Sequence, residues 1–138
     1  MQTIKLSQRM EKFQDLLILV AEDNEINRRI ASLIFSQMGM TFDIASNGKE
    51  ATEMARKKNY DIILMDIKMP DMDGIEATRE IRAFEKETEV EVPAYIVALT
   101  ASEVLDSRNV CMEAGMDEFM EKPIKEPLLR ELFFRVFE

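Results

Sequence analysis

Four short apolar runs in this sequence end in residues that can do chemistry together. Asp15 to Ala21 runs into Glu22, Asp23 and Asn24; Tyr60 to Met65 runs into Asp66; Ala94 to Leu99 runs into Thr100 and Ala101; Asp117 to Met120 runs into Glu121, Lys122 and Pro123. In chain order these ends deliver an acid pair, an acid, a hydroxyl and an ammonium. Phosphoryl transfer needs all of them: a carboxylate nucleophile, a cation against the phosphoryl oxygens, and a hydroxyl and a positive charge to take up the rest. Asp66 is expected to carry the chemistry, because it closes a run with the character of a strand buried on both faces, where open α/β sheets place their ligands. Three crowded acids repel and raise one another's pKa unless a cation neutralises them. An all-oxygen donor set suits Mg²⁺, with Mn²⁺ admissible.

Positioning these ends takes alternating strands and helices. The spacing of Ile26, Ile30, Leu33, Ile34 and Met38 predicts a helix over Asn24 to Met38 that buries this face, with Arg28, Arg29, Ser32 and Ser36 opposite and Gly39 as its stop. Thr41 to Ala45 reads as a short strand, Asn47-Gly48 as a turn and Lys49 to Lys58 as a helix. A turn built from Pro70 and Gly74 precedes a helix over Ile75 to Phe84, and acid-rich Glu85 to Glu91 reads as a solvated, mobile loop. Glu103 to Ala114 and Pro127 to Phe137 are the last two helices. The alternation predicts an α/β fold, a doubly wound parallel sheet with helices on both faces. Met1 to Gln14 stands apart as an extension or linker, either the end of an arriving helix or a frayed terminus, ahead of a domain over residues 15–138.

Composition narrows the function classes. With 138 residues, 46% of them hydrophobic, there is material for one core. No apolar stretch reaches membrane-spanning length and no signal segment opens the chain, so direct membrane contact is not expected. The formal charge of −9 argues against nucleic-acid binding by this domain. Cys111 is the single cysteine, a small buried hydrophobe that fits a reducing, cytoplasmic setting. The absence of histidine removes histidine-based catalysis and nearly all zinc chemistry. Eleven methionines read as gap-filling core residues.

Glu22-Asp23, Asp66 followed by Met69-Pro70-Asp71-Met72-Asp73-Gly74, Thr100-Ala101 and Lys122-Pro123 resemble the signature of the receiver domain of two-component phosphorelays, over Leu16 to Glu138. Asp23-Asn24-Glu25-Ile26-Asn27-Arg28 and Met65 to Pro70 are most similar to receivers attached to hybrid sensor histidine kinases. The resemblance implies five strands in the order 2-1-3-4-5 and Mg²⁺ held by Asp23, Asp66 and the backbone carbonyl of Lys68, with Glu22 acting through water. It further implies transfer to Asp66 from a partner phosphohistidine on a histidine kinase or histidine phosphotransfer domain. Thr100 and Lys122 would then bind the phosphoryl oxygens, and Phe119 would turn inward as Thr100 moves. Lys68 and Ser102 would flank the attacking water, and Lys122-Pro123 would be cis. Such a domain is a self-phosphorylating and self-dephosphorylating signalling part, not an enzyme by itself. No DNA-binding segment follows Glu138, so output is expected elsewhere.

Rival readings are a phosphate-independent scaffold, which the intact acid set argues against, and an aspartyl-nucleophile phosphatase, which needs an acid where Lys68 stands. A flavin module would need a phosphate loop where Glu22 to Glu25 crowd negative charge, and a calcium loop at Asp71 to Gly74 could not easily accept Pro70. In the last helix Leu128, Leu129, Leu132, Phe133 and Val136 fall on one side and Phe134 opposite, beside Arg130 and Arg135. Phe134 is therefore expected to be exposed and to contact a partner domain or a second copy, a homodimer through the last two helices.

Overall fold

The computed structural model describes residues 11–101 and 108–138. Strands β1 (Ile18–Ala21), β2 (Asp43–Ala45), β3 (Ile62–Asp66), β4 (Tyr95–Thr100) and β5 (Glu118–Glu121) form a parallel sheet in the order β2-β1-β3-β4-β5. Ala21 lies level with Met65, and Asp66 with Leu99, so these strands deliver their ends to one edge of the sheet.

The continuous apolar runs are buried on both faces because both faces are covered. Val20, Leu64, Val97 and Leu99 point one way, against Ala31 and Phe35 of α1 (Glu25–Gln37) and Leu129, Leu132 and Phe133 of α5 (Glu126–Phe137). Their alternating neighbours Leu19, Ile63, Met65, Ile96 and Ala98 point the other way. There they meet Ala51 of α2 (Gly48–Lys57), Ala77 and Ile81 of α3 (Gly74–Glu87) and Cys111 of α4 (Arg108–Ala114). Asn24, Asn47 and Asp73 cap α1, α2 and α3, each side chain accepting from the backbone N–H three residues on. Gly39, with φ +72°, lies just beyond α1, at its expected stop.

Gly74 is required by a close approach. Its N–H donates to the Ile67 carbonyl at 2.8 Å, and an added Cβ would stand 2.1 Å from the Asp66 carbonyl oxygen. Gly48 plays the same part from the other side, its N–H donating to the Met72 carbonyl at 3.0 Å. The loop after β3 is thereby clamped at both ends.

Four expectations need correction. Glu85 to Glu91 does not form one solvated loop, because α3 continues to Glu87. Glu85 is held by Arg82 at 2.7 Å and accepts the Ala94 N–H at 2.7 Å, tertiary contacts that outweigh the local acid-rich composition. On α1, Ile26 and Leu33 are 69% and 62% exposed, and the sheet-facing stripe is Ala31, Phe35 and Met38. That helix carries two apolar stripes, and only one can meet the sheet.

On α5 the pattern is also reversed in part: Leu128 is 42% exposed, whereas Phe134 is half-buried and packs on the core. Among the described residues, Phe134 is covered by the 3₁₀ turn Glu11–Phe13, where Phe13 is 2% exposed with its ring 5.0 Å from Phe134 and 5.9 Å from Phe133. Phe13 is thus a core residue, and not part of a separate extension.

Candidate functional site

The four strand ends converge. Glu22 and Asp66 are almost fully buried and Asp23 is exposed, yet one carboxylate oxygen from each lies within 4.8 Å of the others. From the end of β5, Lys122 reaches the same acids, with Nζ 3.1 Å from Asp66 Oδ1 and 3.7 Å from Glu22 Oε2. Its N–H donates to the Thr100 carbonyl at 2.7 Å, tying the fourth and fifth strand ends together. The Lys122-Pro123 bond is cis. Asp66, Ile67, Lys68, Leu99, Thr100, Ala101 and Lys122 line a cavity of about 60 Å³, which is room for a group of a few heavy atoms. Lys68 is exposed, and its N–H donates to Asp66 Oδ1 at 3.3 Å.

Burial first, and then the negative charge of Glu22, push the Asp66 carboxyl up to about 7, against the opposing pull of Lys122. One lysine does not balance three acids. Glu22 Oε1 accepts from the Asn24 N–H at 3.3 Å and the Asn27 amide at 3.0 Å, whereas buried Glu22 Oε2 has no hydrogen-bond partner. A buried carboxylate oxygen without a hydrogen bond, on an acid clustered with two others, is the feature a hard cation satisfies.

Phe119 lies away from the acids. It is level with Ala98, on the face of β5 that packs against α2, α3 and α4, and half-buried with the Arg108 guanidinium 5.1 Å from its ring centre. By strand parity Thr100 shares that face. Ser102 and the expected start of the fourth helix at Glu103 lie outside the described residues. Phe134 is remote from the acids, covered by Phe13 and Lys12.

Sequence reasoning missed two neighbours of the acids. Arg28, expected on the solvent side of α1, instead donates through Nη1 to the Glu22 and Asp23 carbonyls at 3.0 and 2.8 Å, and Asn27 holds Glu22. The signal that could have found them is their place in the first helical turn, where side chains lean back toward the preceding strand end. A larger groove of about 500 Å³ sits at the opposite edge of the sheet, beside Arg82, Glu85, Tyr95 and Asp117. There Arg82 already pairs with Glu85 and Asp117, each within 2.8 Å, so its charge is spent on structure.

A doubly wound parallel sheet with its charged edge at the carboxyl ends of the strands defines the flavodoxin-like class of α/β proteins. Residues 18–134 match the family described as the response regulator receiver domain, and the chain belongs to that family. A hybrid signal transduction histidine kinase of Dictyostelium discoideum is 44% identical over 86% of this chain, which spans only 6% of that kinase. The receiver domain of a Pseudomonas aeruginosa sensor histidine kinase, solved with magnesium in its active-site cleft, is 36% identical with a TM-score of 0.75, covering 87% of this chain and 95% of that one. The receiver domain of a Saccharomyces cerevisiae response regulator, solved with its histidine phosphotransfer protein, is 30% identical with a TM-score of 0.79, over 85% of each chain. The chain is a phosphorelay signalling domain.

Proposed function

We propose that Asp66 accepts a phosphoryl group from the phosphohistidine of a histidine kinase or histidine phosphotransfer domain. An Asp66 oxygen attacks phosphorus, the P–N bond breaks, and its electron pair stays on the imidazole nitrogen. The observation that carries this reading is the pairing of buried Asp66 with Lys122 at 3.1 Å beside a cavity that Thr100 also lines. Lys122 and Thr100 then supply positive charge and a hydroxyl donor to the phosphoryl oxygens. Asp23, Asp66 and the Lys68 carbonyl would hold Mg²⁺, with Glu22 engaged through water, and Mn²⁺ suits the same oxygen set. Held by these residues, a divalent cation would supply charge neutralisation at the phosphoryl oxygens and favour the ionised form of Asp66.

Two further features support a protein donor. Ile26 and Leu33 leave an exposed apolar stripe on α1, the helix that begins beside the acids, a surface suited to a protein partner. The chain holds no histidine, so the phosphohistidine comes from elsewhere. Thr100 and Phe119 act as the switch, on the shared face of β4 and β5 that α4 covers. Pairing of two copies through α4 and α5 would use exposed Val110, Met112 and Leu128 rather than Phe134. The buried lone cysteine favours a cytoplasmic setting, and among the described residues no helix is long and apolar enough to cross a membrane.

Incubation with a small acyl phosphodonor and Mg²⁺, followed by intact mass, tests the reading. The expected product is one phosphate per chain, absent in Asp66→Asn; an adduct that survives the substitution removes Asp66 as acceptor. Mg²⁺ at about 100 times its dissociation constant should also stabilise the fold by about 2.7 kcal/mol. Thermal melts in which wild type and Asp23→Ala rise equally with Mg²⁺ would show that the assigned cation site is wrong.

A further inference from the structure

We infer that Asn27 and Arg28 are positioning residues that set the aim of the Glu22-Asp23 pair toward the cation, a proposal that rests on the Mg²⁺ reading above. Helix α1 starts at Glu25, one residue past its cap Asn24, so its first turn stands directly over the end of β1. Side chains on that turn lean toward the helix N-terminus and therefore back over the acids. The Asn27 amide donates to Glu22 Oε1 at 3.0 Å, and the Asn24 N–H adds a second bond to the same atom at 3.3 Å. With Oε1 held by two donors, the carboxylate cannot rotate freely, and Oε2 is left buried, without a hydrogen bond, facing Lys122 at 3.7 Å. Asn27 thus divides the labour of one carboxylate: one oxygen anchors, the other is presented.

Arg28 does the corresponding work on the backbone. Its Nη1 bridges the carbonyl oxygens of Glu22 and Asp23 at 3.0 and 2.8 Å, fixing the two peptide units from which both acids project. Asp23 is exposed, so burial does little to hold its carboxylate and its aim depends on that backbone. Asn27 and Arg28 therefore act through the acids, to whose carboxylate and carbonyl oxygens they donate.

Mg²⁺ titrations of the full chain, followed by amide shifts in NMR, give the affinity apart from any phosphorylation, with thermal melts without Mg²⁺ run in parallel. Asn27→Ala is expected to weaken Mg²⁺ binding by about tenfold, the usual loss when a ligand's hydrogen-bond support is removed. Arg28→Lys, which keeps the charge and loses the planar guanidinium, should also weaken it and guards against an Asn27 variant that fails to fold. Arg82→Ala is the control: it removes the ion pairs to Glu85 and Asp117 at 2.7 and 2.8 Å, at the sheet edge opposite the acids. It should lower the melting temperature and leave Mg²⁺ affinity unchanged. Folded Asn27→Ala and Arg28→Lys binding within about twofold of wild type, or Arg82→Ala weakening binding as much as they do, overturns the proposal. A wild-type chain without any Mg²⁺-dependent shift removes the metal reading itself and the proposal with it.

Discussion

Phe13→Ala is expected to lower folding stability by about 3–5 kcal/mol, the range for truncating a buried aromatic. The ring is 2% exposed and sits between the sheet-facing core and α5, in edge contact with Phe134 and tilted contact with Phe133. Its removal leaves a cavity under the helix and uncovers Phe134. The neighbouring contact is different in kind: Lys12 pairs with Glu138 at 2.9 Å, but both side chains are about half exposed, so Lys12→Ala should cost under about 1 kcal/mol. Urea midpoints of the two variants separate the effects. A Phe13→Ala loss no larger than that of Lys12→Ala would mean that the turn is only laid on the surface.

Asp66→Asn should stabilise the metal-free protein above pH 7, by an amount on the order of 2 kcal/mol that vanishes toward pH 4. Folding raises the Asp66 pKa from 3.8 to about 7, by burial and then by the charge of Glu22. The folded state therefore binds this proton more tightly than the unfolded chain does. That contribution is fully present below about pH 4 and is lost as pH rises through about 7. Asparagine has no proton to lose, so its difference from wild type follows this titration. Other groups slope the opposite way: the Tyr60 hydroxyl and Lys58 hold Asp43 below its ordinary value, which costs stability in acid. Subtracting the two stability curves cancels them. Added Mg²⁺ should close the gap at high pH by stabilising wild type more than the variant, and a gap that widens on acidification would contradict the raised Asp66 pKa.

The strand ends were legible because a parallel strand covered on both faces must be continuously apolar. The end of each such run is then marked by the first polar residues, here Glu22, Asp66 and Thr100, whereas the fifth strand is short and mixed and Lys122 follows its last acid, Glu121. Caps were not legible in advance, since Asn24 reads as part of its helix and Asn47 as part of a turn, whereas both, with Asp73, cap the turn that follows them. Helix faces were ambiguous too. In α1 the stripe through Ile26 and Leu33 and the stripe through Ala31, Phe35 and Met38 both repeat with helical spacing, and nothing local says which meets the sheet.

The sequence by itself determined which residues end the strands, and that an acid set, a hydroxyl and an ammonium belong to one sheet edge. Those properties depend on neighbours a few positions apart. Only the tertiary structure decided that Arg28 turns back to the Glu22 and Asp23 carbonyls, that Glu85 extends α3 by binding the Ala94 N–H, and that Phe13 covers Phe134. The last two join residues far apart in the chain, 9 residues for Glu85 and Ala94 and the whole domain for Phe13 and Phe134, and in each the packing partner, rather than the local pattern, chooses which side chain is buried.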